Sequence, residues 1–96
     1  MRNYELVYIV SPEVEEEALE GVTEKISQLI TDNGGQVMEL NSWGMRRLAY
    51  PIRKFRDGHY MLARIQLEPG ALPELRRVLG LTEEVIRYLL IRTELE

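Results

Sequence analysis

The stretch Arg2-Asn3-Tyr4-Glu5-Leu6-Val7-Tyr8-Ile9-Val10-Ser11-Pro12 decides how this chain is wound. Its Tyr, Val and Ile favour an extended strand as far as Val10, and Ser11-Pro12 then signals the start of a helix. Ser11 offers a capping hydroxyl. Pro12 suits the first helical position, because the N–H that it lacks would be unbonded there anyway. From Val14 onward, Ala18, Leu19, Val22, Ile26, Leu29 and Ile30 recur on one side of a 3.6-residue period, which predicts a helix. Asn33-Gly34-Gly35 ends it, since glycine takes the left-handed conformation at little cost.

Outward from this unit, Gln36 to Tyr50 reads as a strand with a bulge or bend at Asn41, Ser42 and Gly44. A further strand runs from His59 to Leu67, with Pro51 and the Arg56-Asp57-Gly58 turn between the two. After Pro69-Gly70, Leu72, Leu75, Val78 and Leu79 predict a short helix that Gly80 stops, and Val85 to Thr93 predicts a last, well-buried strand. The order is βαββαβ, which in one domain spanning 1–96 is the ferredoxin-like split βαβ: a four-stranded antiparallel sheet with both helices on one face. Period-2 alternation then turns Leu6, Tyr8, Val10, Met61, Ala63, Ile65, Leu67, Ile86, Tyr88 and Leu90 toward the helices. Val7, Ile9, Tyr60, Leu62, Arg64, Arg87, Leu89 and Ile91 fall on the open face. That is more apolar surface than a solitary protein carries, so a protein partner is expected there.

Composition excludes several classes of function. No apolar run approaches the roughly 20 residues of a bilayer-spanning helix, the amino end has no signal-peptide pattern, and there is no cysteine. The expectation is a cytoplasmic protein without disulfides, thiolate metal sites or a cysteine nucleophile. His59 is the sole histidine, and its sequence surroundings suggest neither a metal nor a base–nucleophile pair. The glutamates between Glu13 and Glu24 read as the solvated face of the first helix. Acylphosphatase-like enzymes share this fold, but their phosphate loop is glycine-rich with an arginine, whereas Val10 to Glu15 here is acidic and has neither. No enzyme, cofactor or small-molecule substrate is expected. A ligand-sensing regulatory module that dimerises through the open face is the remaining alternative.

The net charge of −4 argues against a nucleic-acid partner until its distribution is read. Residues 1–39 carry two cations against nine acids, residues 40–66 six cations against Asp57 alone, and residues 67–96 four against six. The basic segment Gly44-Met45-Arg46-Arg47-Leu48-Ala49-Tyr50-Pro51-Ile52-Arg53-Lys54-Phe55-Arg56 combines guanidinium forks with aromatic faces, the ingredients of RNA recognition. A charge-protected edge strand would look the same.

Gly44, Arg46, Arg47, Leu48, Ala49, Tyr50, Ile52 and Arg53 also fit a ten-position signature of the sixth protein of the bacterial small ribosomal subunit, and the chain resembles that family along its whole length. The resemblance implies a structural ribosomal protein that binds the central domain of 16S rRNA as a heterodimer with the eighteenth small-subunit protein. It assigns RNA contacts to Arg2, Arg46, Arg47, Tyr50, Arg53, Lys54 and Arg56. Tyr60, Leu62, Arg64, Arg87 and Leu89 are the expected partner-protein face. Many relatives extend beyond the last strand with a tail that helps to hold the partner, whereas this sequence ends at Glu96, which leaves a tail contribution to the partner interface open.

Overall fold

The computed structural model describes residues 1–93; the short tail after Thr93 lies outside the described residues. Strand β1 (Arg2–Val10) leads to helix α1 (Glu16–Asp32), then β2 (Gln36–Ile52), β3 (Phe55–Leu67), one 3-10 turn (Pro69–Ala71), α2 (Leu72–Leu81) and β4 (Val85–Arg92). The strands lie in the order β2-β3-β1-β4 with every neighbouring pair antiparallel, which is the ferredoxin-like arrangement. Tyr4, Leu6, Tyr8 and Val10 alternate onto the helix-covered face with Met61, Ala63, Ile65 and Leu67. There they bury Val22, Ile26 and Ile30 of α1 and Leu75 and Leu79 of α2.

Ser11 does not cap α1. Its hydroxyl accepts a hydrogen bond from the Glu13 N–H at 3.1 Å, and its own N–H donates to the Glu84 carbonyl at 2.7 Å. The chain therefore turns at Pro12 and Glu13 and enters the helix only at Glu16, with Glu15 as cap and Glu16 and Glu17 placed favourably against the helix dipole. His59 holds this connection: it is buried, with Nε2 2.8 Å from the Val14 carbonyl oxygen. At the far end of α1 the expected glycine stop is present. Gly34 has φ +84°, and the N–H groups of Gly34 and Gly35 donate to Thr31 and Ile30 in the Schellman pattern.

Gly80 is no stop. The second helix runs through it to Leu81 and is closed by Thr82, whose hydroxyl donates to the Val78 carbonyl at 2.7 Å. Arg56-Asp57-Gly58 is no turn either: all three residues lie in β3, and β2 joins β3 through Arg53-Lys54, flanked by the pair Ile52 and Phe55. The reason for Gly58 is close approach, because a Cβ there would lie 2.3 Å from Cγ2 of Ile9. Ile86 also departs from the expected face. A bulge between Ile9 and Val10 on β1 leaves Ile86 without a register partner and sends it to the open face, where it is buried with Ile9 and Leu48.

These glycines give opposite expectations. Gly80→Ala, in an open helical position, raises stability by about 0.5–1 kcal/mol, whereas Gly58→Ala lowers it by about 1–3 kcal/mol by overpacking against Ile9; urea denaturation measures both. Burial pushes the Tyr8 hydroxyl above the ordinary tyrosine range, against the smaller opposing effect of its hydrogen bond with Thr23. The folded state therefore keeps a proton that the unfolded chain releases in alkali, and stability falls as pH rises above the ordinary tyrosine value. Tyr8→Phe is expected to make that alkaline decline shallower in denaturation curves taken across the range.

Candidate nucleic-acid interface

The long hairpin of β2 and β3 builds the site. Register slips between Val37 and Glu39 and between Ser42 and Gly44 bend β2, and beyond Arg47 the segment Leu48–Pro51 has only Arg56 opposite it before Ile52 meets Phe55. Proline has no N–H for the ladder, and Leu48, Ile52 and Phe55 have apolar surface to bury. The excursion accordingly folds over one end of the open face, where Leu48 packs on Ile9 and Ile86, with Ile52, Phe55 and Tyr60 around them. A second small core pins the basic segment to the sheet.

Polar contacts tie it further. An Arg87 guanidinium N–H donates to the Tyr50 hydroxyl, and the same guanidinium lies 5.7 Å from the centre of the Tyr50 ring. Arg53 donates to the Glu83 carbonyl at 3.3 Å, joining the hairpin tip to the loop before β4. Arg46 lies 5.9 Å from the centre of the Trp43 ring, and its Nε donates to the Trp43 carbonyl at 3.2 Å. Trp43, 45% exposed, is a residue that the sequence reading passed over. The signal lay in its place immediately before Gly44: as the bulge residue of β2 it is the aromatic platform for the first arginine of the segment.

Arg46, Arg47, Tyr50, Arg53, Lys54 and Arg56 are all exposed on this hairpin. Arg46 and Arg47 are successive strand residues and so lie on opposite faces. Arg2 is not brought to them. It opens β1 opposite Leu67; the far end of β1, where Val10 pairs with His59, is about 26 Å away at the rise of a strand, and the hairpin tip lies beyond it.

The expected partner face is also divided. Leu62 and Val7 are half-buried and continue across the sheet to Leu89, which is 53% exposed, with Ile91 beside it. Arg64 sits between Glu5 and Glu39 at 3.6 and 3.7 Å, so carboxylates offset its charge. Tyr60 belongs to the second core, and Arg87 is turned toward Tyr50. Glu13, Glu16, Glu17, Glu20 and Glu24 are exposed around α1. Among the described residues no group of His, Asp and Glu is placed to hold a metal.

Fold and site together define a small α+β protein whose exposed chemistry is guanidinium, aromatic and aliphatic surface. The family model described as Ribosomal protein S6 matches residues 3–92, which include the entire hairpin but not Arg2. The chain is 49% identical over 96 residues to small ribosomal subunit protein bS6 of Moorella thermoacetica, covering 100% of this chain and 98% of that one. It is 44% identical over 94 residues to bS6 of Desulforudis audaxviator, covering 98% and 100%. The crystal structure of 30S ribosomal protein S6 from Thermotoga maritima superimposes with a TM-score of 0.91 at 32% identity, over 96% of this chain and 87% of the other. The C-terminal domain of MgtC from Mycobacterium tuberculosis, at 15% identity and a TM-score of 0.63, shares the fold alone. The chain belongs to the ribosomal protein S6 family, a family of structural ribosomal proteins and not of enzymes. Membership places it in the small subunit of the cytoplasmic ribosome.

Arg53 and Lys54 have φ of 51° and 71°, the left-handed values that a two-residue hairpin loop requires and that asparagine and glycine usually supply. Each costs about 1–2 kcal/mol in a non-glycine residue, less whatever the loop regains elsewhere. Lys54→Gly is therefore expected to raise stability by about 0.5–1 kcal/mol in urea denaturation. A loss of stability would show that the lysine side chain itself holds the turn.

Proposed function

We propose that this protein binds the central domain of 16S rRNA through its basic hairpin and does so as a heterodimer with the eighteenth protein of the small subunit. The observation that carries the reading is the second core: Ile9, Leu48 and Ile86 fix an exposed segment in which Arg46, Arg47, Tyr50, Arg53, Lys54 and Arg56 face solvent. Family membership supplies the ribosomal setting. Arg2 is the one assigned RNA contact that stands apart from this segment.

The partner reading is supported by the exposed aliphatic residues Leu89 and Ile91 beside Leu62 and Val7, on the face that the helices do not cover. Tyr60, packed against the second core, frames that surface with Arg64, which lies between Glu5 and Glu39, and Arg87, which is bonded to Tyr50. Charge favours the same arrangement. With a net −4 and an acidic α1, the hairpin's attraction for phosphates is opposed at longer range, so a basic partner docked on the aliphatic row enlarges the positive surface.

Affinity for a central-domain 16S rRNA fragment is expected to be weak for this protein alone and to rise when the eighteenth protein is added; equally tight binding without it would sink the heterodimer. Arg46→Ala with Arg47→Ala is expected to cut affinity of the assembled pair by roughly tenfold or more. It should also reduce the salt slope by about 1.4, at about 0.7 per phosphate contact on single strands. Both arginines are exposed, so the thermal transition is expected to stay in place. Its disappearance would assign the two arginines a structural role instead.

A further inference from the structure

Trp43 is the one tryptophan of the chain and is 45% exposed, although a large aromatic side chain has much to gain from burial. Local structure puts it there. Ser42 pairs with Met61 and Gly44 with Tyr60, which are consecutive on β3, so Trp43 is the extra residue of a bulge and has no partner across the ladder. Gly44 takes φ +80°, its N–H donates to the Ser42 hydroxyl at 3.3 Å, and Arg46 donates from Nε to the Trp43 carbonyl at 3.2 Å. The Arg46 guanidinium also lies 5.9 Å from the centre of the ring. A guanidinium takes up only one face of an indole, and nearly half of this residue remains in contact with solvent. The exposed end of the aliphatic row, Leu89 and Ile91, is on β4, the opposite edge of the sheet from β2, three strand spacings or about 14 Å across.

Resting on the RNA-binding reading of the hairpin, we propose that Trp43 is a stacking platform for one unpaired base of the bound RNA, with Arg46 holding the ring and meeting a phosphate of the same strand. The cations of the hairpin address the backbone, and the indole adds a contact with a base. Stacking needs a free π-face, and every nucleobase has one, so the platform takes a nucleotide with little regard to which base it carries. Bases inside an A-form helix already stack on their neighbours, so the occupant comes from a loop, a bulge or a strand end. Charge selects RNA over an apolar peptide. Arg46, Arg47, Arg53, Lys54 and Arg56 follow Trp43 with no acid before Asp57, so whatever lies on the indole also lies beside a run of cations. A nucleotide supplies an aromatic face for the ring and an anion for the guanidinium within one unit.

A single tryptophan makes the ring its own reporter. The protein is titrated first with the eighteenth small-subunit protein and then with the central-domain 16S rRNA fragment, and the emission of Trp43→Phe taken through the same steps is subtracted. The partner is expected to leave the emission of position 43 in place and the RNA to quench most of it. A spectral change on adding the partner alone means contact with protein and overturns the stack. Retention of the RNA on a filter with the emission unchanged also overturns it, while leaving the hairpin reading intact. No retention at any salt concentration overturns the hairpin reading, and the stack with it. Salt separates stacking from positioning. Trp43→Leu, which keeps an apolar side chain without a π-face, is expected to weaken RNA binding by the assembled pair about tenfold with the salt slope unchanged, because a neutral ring displaces no counterions. A slope reduced by about 0.7 would mean that Trp43 serves only to place Arg46 on its phosphate, and this or an unchanged affinity refutes the stack. Trp43→Tyr retains a ring and is expected to bind nearly as well as the unsubstituted protein; binding no better than that of Trp43→Leu would refute the stack too. Position 43 is exposed, so both variants are expected to keep the thermal transition.

Discussion

The space that Gly58 leaves beside Ile9 is the constraint on which the exposed half of the molecule depends. A Cβ at that position would lie 2.3 Å from the Ile9 side chain. With the space free, Ile9 packs beside Gly58 and forms, with Ile86 and Leu48, a small core on the face that the helices leave open. That core is what holds the hairpin excursion down. Without it, the residues between Leu48 and Pro51, which have only Arg56 opposite them, would have no ladder and little apolar contact to fix their path. The principal core under α1 and α2 sets the architecture, and the second core sets the posture of the arginines.

Folding also changes what the charge of the chain means. The acids of residues 1–39 mostly surround α1, on one side of the sheet, while the hairpin excursion lies over the other. Arg64 belongs by position to the basic segment yet is flanked by Glu5 and Glu39, so the positive charge at the hairpin comes from Arg46, Arg47, Arg53, Lys54 and Arg56. A sum over the sequence counts Arg64 with them. The structure moves it to a charged row at the far side of the aliphatic patch.

The parts of this molecule legible in its sequence are those that short-range periodicity controls. Element order, the inward sets of β1 and β3 and the glycine stop of α1 follow from alternation, 3.6-residue spacing and one left-handed residue. Most of the misreadings share one cause: a residue's local preference served a contact distant in sequence. Gly58 looks like turn chemistry but accommodates Ile9, and Ser11 looks like a cap but binds Glu13 and the loop at Glu84. Gly80 looks like a stop but is carried through, because Thr82 closes the helix two residues later. Arg53-Lys54 has no turn signature at all, and the register of the two long strands imposes the turn on it. For the interface, the basic residues were legible as a run, whereas Trp43 under Arg46 and the separation of Arg2 required the folded chain.

Five arginines of this protein fall into two groups by what they touch, and the distinction bears on how phosphate would be met. Arg64 and Arg77 lie against carboxylates, which offset their charge. Arg46, Arg53 and Arg87 lie instead against the Trp43 ring and carbonyl, the Glu83 carbonyl and the Tyr50 ring and hydroxyl. Contacts of the second kind restrict a long side chain while leaving its full positive charge. An arginine restrained in this way has less rotamer freedom to lose when it binds, a cost of about 0.5–1.5 kcal/mol for each flexible side chain immobilised at an interface. Five N–H donors on each guanidinium are not exhausted by a single carbonyl or hydroxyl. Among the described residues, the contacts of Arg46, Arg53 and Arg87 orient each cation without neutralising it, which supports the proposed reading of the hairpin as a phosphate-binding surface.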